Sequence, residues 1–104
     1  MRSQLALLLT LSSLVALQAQ VPLTTLGTPY TQDFNTLSPT GTAETIVPAG
    51  WAFLETGTNA NATYAAGTGS SNTGNTYSFG QNDSLDRAFG GLQSGSLVPM
   101  VGAS

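Results

Sequence analysis

The chain has 104 residues, with two basic and five acidic side chains and no histidine or cysteine. That composition removes Ser-His-Asp and Cys-His catalytic arrangements, histidine acid–base chemistry, disulfides and zinc sites of the nitrogen and sulfur type. Lysine is absent as well, so there is no Gly-Lys-Ser/Thr phosphate loop; paired carboxylates or an oxygen-ligated cation remain.

The N-terminus carries the first readable element. Arg2 is followed by an apolar run from Leu5 to Leu17, broken by Thr10, Ser12 and Ser13, and Ala19 offers a small residue for cleavage. This is the pattern of a secretory signal peptide, helical over its apolar run and removed after Ala19. The run is shorter than the about 20 apolar residues that span a bilayer, and no later segment approaches that length. The reading therefore divides the chain into a signal peptide at 1–19, a linker at 20–29 and a module at 30–104 that is secreted or held at the cell surface. Beyond residue 19, Arg87 is the only base against Asp33, Glu44, Glu55, Asp83 and Asp86. Nucleic acid and anionic membranes are poor partners for such a segment, because phosphate contacts rely on clustered Lys and Arg.

Downstream of the linker, helical periodicity is absent. Short apolar runs alternate with Gly, Ser, Thr and Asn, which predicts an all-β chain. Tyr30 to Leu37 reads as a strand with Tyr30 and Phe34 on one face, ended by a turn at Ser38-Pro39-Thr40-Gly41. After the Pro48-Ala49-Gly50 turn comes a strand with Trp51, Phe53 and Glu55 on one face and Ala52 and Leu54 on the other. Apolar residues on both faces predict burial on both sides. Thr56 to Thr76 carries no charge; within it Tyr64-Ala65-Ala66 reads as a short strand and Gly67 to Asn75 as a flexible loop. Thr76 to Gly80 is a strand with Tyr77 and Phe79 sharing a face, Gln81 to Ser84 a polar turn, and Asp86 to Leu92 extended again, with Arg87 and Phe89 together. Leu97 to Val101 is the last strand, placed at an edge because Pro99 cannot donate a ladder hydrogen bond. The expected fold is all-β: a partial antiparallel β-sandwich of jelly-roll type, short of the about 7 strands of an immunoglobulin-sized sandwich and hence incomplete at its C-terminus. Such a unit would leave apolar surface uncovered around Trp51, Phe53, Tyr77 and Phe79.

Three stretches in order carry a resemblance: Tyr30-Thr31-Gln32-Asp33-Phe34-Asn35-Thr36-Leu37; Pro48-Ala49-Gly50-Trp51; and Tyr77-Ser78-Phe79-Gly80 followed by Asp86-Arg87-Ala88-Phe89-Gly90. Behind a signal peptide, they resemble the N-terminal region of secreted bacterial jelly-roll (concanavalin-like β-sandwich) proteins. Members of that group often carry a C-terminal surface-sorting tail or are joined to extracellular nuclease modules. The resemblance implies a bacterial extracellular module and brings no catalytic residues with it.

Candidate sites are few. Asn82, Asp83 and Asp86 form the one compact oxygen-rich cluster and are candidate calcium ligands, against the plainer reading of a hairpin turn whose Asp and Asn bond their own backbone. Arg87 could grip a carboxylate ligand, but pairing with one of the chain's own acids is the favoured expectation. Trp51, Tyr64 and Tyr77 could stack on a sugar; Tyr64, in a polar stretch, is the candidate for an exposed ligand contact. Glu44 and Glu55 are the only glutamates, and nothing in their spacing makes them a glycosidase pair. The sequons Asn61-Ala62-Thr63 and Asn82-Asp83-Ser84 matter only in a eukaryotic host. The functional expectation is a secreted non-catalytic module, binding carbohydrate or another surface protein or serving as a structural part, with no cofactor beyond the candidate calcium. The alternatives are an accessory module of an extracellular hydrolase, nuclease-like, with its catalytic part downstream, and a β-solenoid adhesin.

Overall fold

The computed structural model describes residues 20–104; the signal segment read at 1–19 lies outside them. The described residues form five strands: β1 (Trp51–Thr56), β2 (Ala65–Gly67), β3 (Asn75–Phe79), β4 (Ala88–Leu92) and β5 (Val98–Ala103). They make two sheets. β1 and β5 pair antiparallel as a two-stranded ribbon, and β2-β3-β4 is a mixed sheet in which β2–β3 is parallel and β3–β4 antiparallel. An isolated antiparallel bridge joins Glu44 to Tyr64, with both N–H···O bonds at 2.8 Å.

The strands start where turn chemistry permits. The Trp51 N–H closes the Pro48-Ala49-Gly50 turn on the Pro48 carbonyl at 3.0 Å. The Ser104 N–H donates to the Gly50 carbonyl, which sets the phase of the β1–β5 ladder. Residues 52, 54 and 56 then exchange hydrogen bonds with 102, 100 and 98, while Glu55 faces Pro99 as a non-bonded pair. Pro99 thus sits in a strand at a place where its missing N–H costs no ladder bond.

Aromatic rings fill the space between β1 and β4. Phe53 stacks edge-on against Tyr64 (centroids 5.8 Å) and Phe89 (6.0 Å), and Phe34 meets Trp51 at 4.7 Å. The Trp51 Nε1–H donates to the Tyr30 hydroxyl at 3.1 Å. Among the described residues, Leu37, Tyr64, Ala65, Tyr77 and Leu97 are buried apolar side chains.

Three expectations change here. Tyr30 to Leu37 forms no strand. Phe34 takes a left-handed backbone with φ 61°, costly for a bulky residue. The Asp33 Oδ1 accepts the Asn35 N–H and the Phe34 carbonyl accepts the Leu37 N–H, both at 3.0 Å. Asp and Asn offer the backbone local partners that compete with a ladder, and the turn they make swings the Phe34 ring onto Trp51. Second, β1 is covered on one face only. Its Ala52–Leu54–Thr56 side is exposed, because the three-stranded sheet lies against the opposite side. Third, the uncovered apolar surface is not where it was expected. Tyr77 is buried, Trp51 and Phe53 join the aromatic cluster, and the exposed large residues on the ribbon are Leu54, Val98, Met100 and Val101.

Candidate functional site

The chemistry-bearing residues gather between the two sheets. On β3 the period-2 alternation sends Thr76 and Ser78 inward, and both are completely buried. Tyr77 and Phe79 point to the opposite side and lie over glycines of the flanking strands. A Cβ on Gly67 would come within 3.1 Å of Tyr77 and one on Gly90 within 3.4 Å of Phe79. The polar row of β3 is therefore the internal one, and it holds the two buried charges.

Glu55, 6% exposed, projects from β1 into this layer. Its Oε1 accepts the Thr76 N–H at 2.8 Å and the Thr76 hydroxyl at 2.9 Å; its Oε2 accepts the Asn61 N–H at 3.0 Å. Both carboxylate oxygens are thus committed to donors from β3 and from the loop before β2. A carboxylate held this way ties the sheets together, with both acceptor sites of Oε1 and one of Oε2 taken by the fold's own donors. Glu44, the other glutamate, joins Tyr64 through its backbone alone.

Arg87, 4% exposed, enters the layer from just before β4. Its Nε–H donates to the Ser78 Oγ at 2.9 Å and its Nη2 to the Ser78 carbonyl at 2.6 Å. Its Nη1 donates to the carbonyls of Gln81 at 2.9 Å and Ser84 at 3.2 Å. The Asn35 Oδ1 accepts its backbone N–H at 3.0 Å. The expectation that Arg87 pairs with an acid is therefore corrected: its four side-chain acceptors are neutral oxygens. A planar guanidinium suits such converging carbonyls, because its donors are fixed in a fork. Gly80 makes room for it; a Cβ there would come within 2.5 Å of the Arg87 Nη1.

The Asn82–Asp86 segment is shaped by that guanidinium. The Ser84 N–H closes a turn on the Gln81 carbonyl at 3.1 Å, and Asp83 sits at φ 59°. Asn82, Asp83 and Asp86 are all exposed. Asn82 and Asp83 line one cleft of about 330 Å³, and Asp86 lines its neighbour. Two of the loop's carbonyls already accept from Arg87, and among the described residues no group of three or more carboxylates gathers. The arrangement favours the structural turn.

Tyr64 is also corrected. Instead of standing in a polar loop as a ligand contact, it has no exposed surface. Its hydroxyl accepts the Ser38 N–H at 2.9 Å and donates to the Ile46 carbonyl at 2.7 Å. The polar segments around it have few apolar residues of their own, so they fold over the one large ring among them.

Thr76 and Ser78 were missed as core residues, since a Thr-x-Ser alternation reads as the solvent side of a strand. The available signal was indirect: a lone Arg and a Glu on otherwise apolar faces need polar partners facing them.

Comparison with known proteins found no matching family model, no similar curated protein and no similar solved structure.

Proposed function

We propose that the chain is a secreted, non-catalytic β-sandwich module of jelly-roll type, with a binding or structural role at the cell surface or outside the cell. The observation that carries the reading is the engagement of the two buried charges. Glu55 and Arg87 are the buried charged side chains among the described residues, and their hydrogen bonds run to the fold's own backbone, Thr76 and Ser78. What the described surface leaves open is shape and apolar area rather than an activated nucleophile. The Arg2, Leu5–Leu17 and Ala19 pattern supports export, and carbohydrate or another surface protein is the partner class in view.

The test is to produce the full chain in a bacterial host and follow it. Recovery outside the cytoplasm with an N-terminus near Gln20, and no turnover of polysaccharide, ester or nucleic-acid substrates, would support the reading. Retention of intact chain inside the cell would overturn the secretion half. Turnover abolished by Glu55→Gln in a folded protein would overturn the non-catalytic half.

A further inference from the structure

We propose that Gln20, once cleavage after Ala19 makes it the first residue, is a modification site: its α-amine closes on its own side-chain amide to give a pyroglutamyl cap. The proposal rests on the secretion reading and on how the structure holds this end of the chain. Glutamine has the right length for the closure. Its N, Cα, Cβ, Cγ and Cδ make a five-membered lactam, and no atom beyond the Gln20 carbonyl takes part. Nucleophile and electrophile belong to one residue, so the reaction is intramolecular and needs no encounter.

The structure treats the two sides of Gln20 differently. Downstream, the chain is docked. The Val21 N–H donates to the Ser104 carbonyl at 2.6 Å, and Val21 is half-buried. Gly50, at φ 82°, lies against the Gln20–Val21 peptide. A Cβ there would collide with the Val21 nitrogen and come within 2.8 Å of the Gln20 carbonyl carbon. Gln20 itself is exposed. The groups that react therefore stand in solvent, and ring closure breaks none of the contacts that hold Val21. Docking also slows the competing fate of a new N-terminus. An aminopeptidase must take the Gln20–Val21 bond into its own cleft, and here that bond lies against Gly50 with its N–H already given.

The step needs no cofactor and no oxidant. The neutral amine nitrogen attacks Cδ, a C–N bond forms and the Cδ–Nε2 bond breaks. The departing nitrogen takes a proton from the attacking amine and leaves as ammonia. What changes is charge. A free α-amine titrates at about 7.7–8.0, so the uncapped end is mainly ammonium at pH 7, whereas the lactam is neutral. Arg87 is buried and is the only basic side chain beyond residue 19. The ammonium is therefore the one positive group that solvent would meet among the described residues, and the cap removes it.

The test is the full chain produced in a bacterial host that exports it, beside Gln20→Asn. Asparagine keeps the amide but is one carbon too short for the five-membered ring. After incubation at neutral pH, exported wild type should have an intact mass lower by one ammonia than the chain from Gln20. It should resist stepwise N-terminal degradation until pyroglutamyl peptidase has acted on the denatured protein, and it should focus at a more acidic position than Gln20→Asn. The Gln20→Asn chain should show its full mass and a readable N-terminus. Failures of the two readings look different. Intact chain kept inside the cell would overturn secretion and the cap together. An exported chain that begins at another residue, or that begins at Gln20 and keeps its free amine, would overturn the cap and leave secretion standing.

Discussion

Between the sheets, Thr76 and Ser78 have no exposed surface, whereas Leu54 on the outward side of β1 is 59% exposed. The inner layer is built on polar side chains that find partners, and the ribbon's outer face is built on apolar side chains that find none among the described residues. The difference comes from the two charges. Once Glu55 and Arg87 are enclosed, hydroxyls and carbonyls must line the layer with them, because an unpartnered buried charge is far more costly than a buried hydroxyl that is bonded. The outer face has no such anchor, and alternation alone places Ala52, Leu54 and Met100 there.

The sharpest way to break the inner layer is to remove its cation. Arg87→Leu would take the guanidinium from the Ser78 hydroxyl and from the carbonyls of Ser78, Gln81 and Ser84, of which Gln81 keeps the Ser84 N–H, and should cost about 3–5 kcal/mol by denaturant unfolding, as the sum of several lost buried hydrogen bonds. A loss under about 1 kcal/mol would mean that water replaces the guanidinium and that the layer is open. Next in size is Glu55→Gln. One amide oxygen can still accept, but the new NH2 group faces N–H or O–H donors from Thr76 or Asn61, so a loss of about 1–3 kcal/mol is expected. Tyr64→Phe should fall in the same range of about 1–3 kcal/mol, since it orphans the Ser38 N–H and the Ile46 carbonyl while keeping the ring. Leu54→Lys probes the other region and should change stability by no more than about 0.5 kcal/mol, because it touches neither sheet's interior. The smallest effect is expected at the Asn82–Asp86 turn. Asp83→Asn combined with Asp86→Asn should leave the heat of calcium addition unchanged in calorimetry of the full chain. A clear difference between wild type and the double variant would restore the cation site.

The same contrast explains which parts of the fold were legible. β1, β3, β4 and β5 lie within a few residues of where alternation and turn residues put them, because Trp51-Ala52-Phe53-Leu54 and Thr76-Tyr77-Ser78-Phe79 have a local period that survives packing. Tyr30 to Leu37 has the same period but loses it to Asp33 and Asn35, whose side chains bind the backbone and Arg87 instead. Which side of each strand is inside was the less legible part. Burial of Thr76 and Ser78 depends on Glu55 and Arg87, which lie 21 and 9 residues away along the chain from their partners, and period-2 counting carries no such information. Tyr64 was misplaced for a related reason: its neighbours are polar, so only the tertiary bonds to Ser38 and Ile46 reveal that it is central.

Enclosing Arg87 also has an electrostatic consequence for the outside of the molecule. It is the sole basic side chain among the described residues, and burial takes it off the surface, while Asp33, Asp83 and Asp86 remain exposed. Every ionised side chain that the solvent meets on this part of the molecule is therefore negative. Two such particles repel over a range set by the ionic atmosphere, about 30 Å at 0.01 M salt but only about 8 Å at 0.15 M. Encounter between copies should consequently be suppressed in dilute buffer and released by added salt, the reverse of the behaviour expected when opposite charges draw partners together.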